Sequence, residues 1–229
     1  VSGSAPLLPE TFAAFETRTG HTILERYGMT EAGMITSNPL EGDRLGGTVG
    51  FPLPDVTVRV TDEAGAVLPA GEVGGLEVRG PNVFKAYWRK PEKTAEDMTA
   101  DGYFRTGDVA TIGSDGRVTL VGRAKDLIIS GGLNIYPKEI ETEIDAMSGV
   151  EESAVIGVPH ADFGEAVVAV ITRADANLDE ARVLEALDGR IARFKRPKRV
   201  FFLDALPRNA MGKVRKNVLR DTFEDTFSG

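Results

Sequence analysis

The chain predicts a mixed α/β and α+β fold in two parts, and three observations carry that prediction. Between residues 56 and 61, Val56, Val58 and Val60 alternate with Thr57, Arg59 and Thr61, the period of a half-buried strand. Asp115-Gly116 separates two apolar runs over residues 110–121, a strong hairpin signal. After Arg123 the pattern changes to helices mixed with short strands, as expected of a separate α+β body. Residues 40–122 therefore read as an antiparallel β-barrel-like subdomain or small sheet inside a first part, 1–124. Residues 125–229 read as a small, mobile second domain.

Taken in order, residues 6–19 predict a helix with Leu8, Phe12 and Phe15 on one face and Gly20 as its stop. Residues 21–26 read as a short strand entering Tyr27-Gly28-Met29-Thr30-Glu31. Beyond the alternating strand, residues 62–65 form a turn, and the glycine-punctuated run 71–80 reads as a strand pair. In the second part, residues 127–129 read as a strand. Pro137 suits the first helical position, with Ile140, Ile144 and Met147 down one side. Residues 153–158 and 166–172 read as strands. Asp179 caps a helix over 179–191 with Leu184, Leu187 and Ile191 inward. A strand at 200–203 and a helix at 216–227 close the chain.

Composition narrows the function. The sequence has 229 residues, 41% hydrophobic and 27% charged, which is ordinary globular usage. No apolar run approaches the roughly 18 residues of a membrane span, and the N-terminal residues lack the basic-then-apolar pattern of a signal peptide. There is no cysteine, and the two histidines, His21 and His160, lie far apart, which argues against a Cys/His zinc site and fits a reducing cytoplasm. The net charge of −8 argues against nucleic-acid binding. The charge is uneven: between Arg190 and Arg220 basic residues crowd together with Asp204 as the single acid, a pattern that suits either phosphate recognition or a solvated helix face.

Several short patterns can carry chemistry, though each alone has a plainer explanation. Thr30-Glu31 sets a hydroxyl beside a carboxylate, a pair that can bind a phosphate and its magnesium together; taken alone, a turn with an N-cap threonine is the more common explanation. Asp108, after a glycine turn, can accept hydrogen bonds from two ribose hydroxyls, or simply be a turn aspartate. Arg123 can hold the same ribose or a phosphate, or sit on the surface. Lys125-Asp126 is a polar pair where a hinge would do well to be solvated. Gly131-Gly132 permits close approach of a slim ligand, or a tight turn into the next helix. Lys213, on a glycine-preceded loop, can enter a cleft and neutralise developing charge, or remain a surface lysine.

Together and in this order, SGSAPL (2–7), RYGMTE (26–31), YFRTGD (103–108), GRAKDLIISGGLNIYPKEIE (122–141) and PRNAMGKVRKN (207–217) resemble successive motifs of the adenylate-forming superfamily of acyl-CoA synthetases, luciferases and adenylation domains. The phrases GPNVFKAYWRKPEKT (80–94) and VIGVPHADFGEAV (155–167) are similar to the malonyl-CoA synthetase branch. The resemblance covers essentially the whole chain. It implies that residues 1–124 are the end of a large AMP-binding domain and 125–229 its small C-terminal partner. It implies an acid–thiol ligase that uses ATP, Mg²⁺ and CoA and passes through an acyl-adenylate. By motif match Thr30 contacts phosphate and Glu31 binds Mg²⁺. Tyr27 and Gly28 line the adenine and acyl pocket, while Asp108 and Arg123 hold the ribose. Lys125 is the hinge, Lys213 drives adenylation, and Gly131 and Gly132 border the pantetheine tunnel. Ser4, where many relatives have glycine, and Met34 would shape the pocket for a short diacid. The serine/threonine/glycine-rich phosphate loop of the family is missing from this sequence, so the 229-residue chain alone is expected to be inactive. Two alternatives stand beside this reading: an adenylation domain that loads a carrier protein, and a non-catalytic module that kept the fold.

Overall fold

Strand pairing builds the first of two compact units, Val1–Ala124 and Lys125–Gly229. The computed structural model describes residues 1–3, 7, 9–210 and 212–228; Ser4 and Leu8, both singled out above, lie outside them. After a helix, α1 (Pro9–Thr19), the strands β1 (Arg26–Met29), β2 (Gly33–Ser37) and β3 (Phe51–Pro52) form an antiparallel sheet in that order. A second antiparallel sheet takes β4 (Thr57–Thr61), β5 (Gly74–Arg79), β6 (Phe104–Ile112) and β7 (Val118–Arg123) in sequence, with helix α2 (Pro91–Asp97) between β5 and β6. Both sheets share one core of Tyr27, Ile35, Val60, Leu76, Val78, Phe104, Ala110 and Val118. The alternation at 56–61 faces Val60 into that core and leaves Thr57 exposed.

Several expectations are corrected in this unit. Helix α1 buries none of its residues; Phe15 is exposed, and only Phe12 is half-buried, its ring over Gly46. The helix does stop at Gly20, whose φ of 69° suits a left-handed C-terminal residue. The strand expected at 21–26 starts later, at Arg26, and contains Tyr27 and Gly28 themselves. The glycine-rich run 71–80 yields one strand, β5, paired on both sides; backbone pairing there overrides the glycine punctuation. The short strands β2 and β3 have no period long enough to be read beforehand.

The second unit is a five-stranded mixed sheet with helices on both faces. Its elements are β8 (Ile128–Ser130), β9 (Leu133–Ile135), α3 (Pro137–Asp145), β10 (Val150–His160), β11 (Gly164–Arg173), α4 (Glu180–Ala186), β12 (Arg199–Phe202) and α5 (Lys216–Phe223). The long hairpin β10–β11 is the centre, with β12 parallel to β11 and β8–β9 continuing the sheet. Side chains alternate between two cores: Val155, Val167, Ala169 and Ile171 pack with Ile140 and Ile144 of α3 and with Val183 and Leu187, whereas Ile156, Val158, Val168 and Val170 pack with Leu206 and Leu219. Because both faces are covered, β10 and β11 read as nearly continuous apolar runs.

The Gly131-Gly132 turn leads into strand β9 rather than directly into the helix, and α3 starts at Pro137, as read from the sequence. The Asp179 carboxylate accepts from the Arg182 amide at 2.9 Å, the cap read from the sequence. Helix α4 ends at Ala186, short of Ile191, and α5 ends at Phe223 before a single 3₁₀ turn, Glu224–Phe227. No helix among the described residues is long and apolar enough to cross a membrane.

Candidate functional site

Strand register assembles the first group of candidate residues. Asp108 of β6 pairs across the ladder with Arg123 of β7, and the Arg123 Nε lies 3.1 Å from Asp108 Oδ1. From β1, the Tyr27 hydroxyl donates to Asp108 Oδ2 at 2.5 Å. Three residues scattered over the sequence thus meet at one carboxylate, which is only 6% exposed. Burying a carboxylate is costly unless it is paired and hydrogen-bonded, and here a cation and a phenol do both. Burial, and then the neighbouring Asp108, raise the Tyr27 phenol far above its ordinary value, so it stays a donor. The Thr106 hydroxyl supports the turn from below: it donates to the Leu76 carbonyl at 2.8 Å and accepts from the Asp108 amide at 3.1 Å. Arg123 keeps about half of its side chain, 48%, open, leaving guanidinium donors for an outside acceptor.

Gly28 is required by close packing. A Cβ there would sit 2.2 Å from the Gly33 carbonyl oxygen and 2.8 Å from the Met34 methyl. The β1–β2 ladder shifts register at this point. Gly28 and Met34, with Val1, Gly3 and Arg26, line an open pocket of about 190 Å³.

Thr30 is exposed and Glu31 half-buried in the turn between β1 and β2. A tyrosine that sequence reasoning left without a role holds Glu31: the Tyr87 hydroxyl donates to Oε1 at 3.1 Å. Burial, then this bond, push Tyr87 up to about 12. Tyr87 stacks edge-on with Phe84, whose amide donates to the Glu31 carbonyl at 2.7 Å, and the Asn82 side-chain amide donates to the Ala32 carbonyl at 2.7 Å. The signal was present in the phrase at 80–94, but only the fold shows what it touches. No group of three or more His, Asp or Glu side chains among the described residues can hold a metal. A single carboxylate such as Glu31 fits Mg²⁺, which commonly takes one or two carboxylates and fills its shell with water and substrate phosphates.

The second unit holds the remaining candidates. Lys125 is exposed in the 3₁₀ turn Ala124–Asp126. Asp126 departs from the solvated pair expected: it bonds Arg220 at 2.7 Å and is half-buried. Gly131 and Gly132 both have positive φ, 58° and 78°, and both are exposed; the Gly131 amide donates to the Phe163 carbonyl at 2.8 Å. Lys213 lies on a closed loop and is half-buried. Its amide donates to Asn209 Oδ1 at 3.0 Å and its carbonyl accepts from the Asn209 amide at 2.9 Å, so the loop backbone is pinned. The basic stretch is largely neutralised: of eleven Lys and Arg between Arg190 and Arg220, seven (Arg190, Lys195, Arg196, Arg199, Arg208, Lys216 and Arg220) form ion pairs with acids of the same unit.

Residues 1–88 match the AMP-binding enzyme family, and residues 139–213 match the AMP-binding enzyme C-terminal domain. The chain belongs to the AMP-binding enzymes. It is 40% identical over 237 residues to the malonate–CoA ligase of Arabidopsis thaliana, covering 98% of this chain and 38% of that protein. It is also 40% identical over 222 residues to a long-chain-fatty-acid–CoA ligase of Yersinia pestis, covering 96% of this chain and 39% of that one. The crystal structure of ATP-bound MatB from Rhodopseudomonas palustris superposes with a TM-score of 0.96 at 60% identity, covering 99% of this chain and 45% of that one. The chain therefore spans less than half the length of the AMP-binding enzymes it matches.

Proposed function

We propose that the chain supplies the ribose-binding and lysine-bearing parts of an ATP-dependent acyl-CoA ligase for a short dicarboxylic acid, malonate or methylmalonate. The observation that carries this is the Tyr27–Asp108–Arg123 centre, formed in a chain 60% identical to an ATP-bound MatB. In the proposed first step a carboxylate oxygen of the acid attacks the α-phosphorus of ATP and the bond to the bridging oxygen breaks, releasing pyrophosphate. In the second, CoA thiolate attacks the acyl carbon and AMP leaves.

Asp108 would accept from the ribose hydroxyls through its remaining lone pairs, with Tyr27 and Arg123 fixing its angle. Thr30 would donate to a phosphate oxygen. Glu31, braced by Tyr87, would hold Mg²⁺, which when bound offsets phosphate charge. The Lys213 ammonium would stabilise charge growing on the carboxylate and α-phosphate. Gly131 and Gly132 would border the pantetheine path.

We further read 125–229 as mobile between the steps, with Lys125 as pivot. Support comes from its exposure in one 3₁₀ turn at the unit boundary; the Asp126–Arg220 pair holds the next residue to the second unit. The barrel-like reading of residues 40–122 draws support from the Val49 amide, which donates to the Val118 carbonyl at 2.9 Å and joins the two sheets. Identity is the same, 40%, to the malonate and the long-chain-fatty-acid ligases, so the preference for a short diacid rests on Ser4 and on Met34 at the pocket. We place the reaction in the cytoplasm, a reading supported by a sequence without cysteine, which suits a reducing compartment.

The test offers acetate, malonate, methylmalonate and succinate to the full-length protein with ATP and CoA. AMP and an acyl-CoA should form fastest with malonate or methylmalonate. AMP release that needs an added carrier protein, with none on CoA, would move the assignment to a carrier-loading adenylation domain.

A further inference from the structure

We infer that Arg208, with Glu152 as its counter-ion, is a positioning residue for Lys213. This rests on the reading of Lys213 as the adenylation lysine. The two arms of one guanidinium reach different elements: Nη2 pairs with the Glu152 carboxylate on β10, and Nη1 donates to the Gly212 carbonyl at 2.5 Å. Gly212 is the residue directly before Lys213. A side chain anchored to the sheet therefore grips the peptide from which the lysine projects.

The rest of the loop removes other freedoms. Gly212 has φ of 78°, and its amide closes a turn onto the Asn209 carbonyl at 2.9 Å. Arg208 and Val214 form an isolated antiparallel bridge, and the Arg215 amide donates to the Pro207 carbonyl at 2.7 Å. Downstream, Lys216 pairs at 2.5 Å with Glu141, a buried carboxylate that also accepts from the Val155 amide at 2.9 Å. Leu206 and Leu219, on either side, are sunk in the core beneath β10 and β11. Both ends of the loop are fixed to the sheet, and at its tip the Gly212–Lys213 peptide is held by the side chains of Arg208 and Asn209.

A half-exposed ion pair adds little to global stability. Its effect here is directional: it sets the origin of a long flexible side chain whose ammonium must meet a developing charge, and misplacement by about 1 Å is costly in such a step. Arg is suited to this because its planar fork aims separate N–H groups at the carboxylate and the carbonyl in a fixed geometry, whereas a lysine offers a single freely rotating ammonium.

The experiment separates the two half-reactions in the full-length protein. Adenylation is read as acid-dependent exchange of pyrophosphate into ATP, and thioester formation as transfer from a preformed acyl-adenylate to CoA. In Arg208→Ala the exchange rate should fall by roughly tenfold to a hundredfold, with transfer to CoA within about twofold of the parent. Glu152→Gln should lose less, and the charge-swapped pair Arg208→Glu with Glu152→Arg should stay low because the grip on the Gly212 carbonyl is lost. Unchanged exchange in Arg208→Ala, alongside a collapse in Lys213→Ala, overturns the clamp and leaves the lysine reading standing. Unchanged exchange in Lys213→Ala removes both. Equal loss in both half-reactions, with a lowered melting temperature, makes Arg208 merely structural and overturns the proposal.

Discussion

The Asp108 centre and the Lys213 loop solve one problem, holding a charged side chain in a set direction, by opposite means. Asp108 and Arg123 face each other because β6 and β7 pair in register, and Tyr27 arrives from another sheet through a shared core. The charge is buried and its neighbours are few and close. Lys213 itself lies in no strand or helix; turn, bridge and side-chain bonds hold its backbone, and its surroundings are partly open. The comparison teaches that a ladder can hold a residue whose surroundings should not change, while a pinned loop can present one that serves a single step.

The largest effect expected is chemical and falls on the loop. Lys213→Ala in the full-length protein should cut pyrophosphate exchange by on the order of a hundredfold to a thousandfold with little change in melting temperature, since its side chain supports no core. A large loss of stability instead would break the contrast between the two sites.

The next falls on the ladder. Gly28→Ala drives a methyl against the Gly33 carbonyl, a backbone atom that cannot yield without moving β1 and β2. It should cost about 1–3 kcal/mol in urea unfolding and disturb the adjacent Tyr27. Unaltered stability would mean that the β1–β2 turn is looser than the geometry indicates.

Smaller is Tyr27→Phe. It removes one donor to a buried carboxylate, worth about 1–2 kcal/mol, and should raise several-fold the KM for ATP and, since it carries the same ribose, the KM for a preformed acyl-adenylate. An unchanged KM for both would separate Tyr27 from the nucleotide.

The smallest concerns a buried acid outside both sites. Burial raises the Asp145 carboxyl above its ordinary value, against the lowering effect of the Ser153 hydroxyl bonded at 2.6 Å. The folded state therefore holds this proton more tightly than the unfolded chain, so the contribution is favourable at low pH and is lost as pH rises from the unfolded value through the raised one. Asp145→Asn should accordingly gain stability relative to the parent as the pH is raised through and above the ordinary carboxylate range, measured by urea unfolding at each pH. A gap of the opposite trend would show that Ser153 and Lys138 outweigh burial.

Local patterns were enough for those elements whose physics is local. Val56, Val58 and Val60 declare a strand by period, Asp115-Gly116 a hairpin, Pro137 with Ile140 and Ile144 a helix, and Asp179 its cap, because each depends on a few neighbouring residues and on burial of one face. Short strands such as β2, β3 and β9 carry too few residues for a period to emerge. The apolar face read for α1 was real as a pattern, yet no burial follows from it among the described residues.

The resemblance carried by motif order likewise nominated Tyr27, Glu31, Asp108, Arg123 and Lys213 as candidates, although each taken singly had a plainer explanation. Partnership was not legible. That Tyr27 donates to Asp108, that Tyr87 braces Glu31 and that Glu152 anchors Arg208 all depend on separations of tens of residues closed by the sheets. Sequence neighbours dictate the backbone's local choices; only packing brings distant side chains within hydrogen-bonding distance, where their charges and donors act on one another.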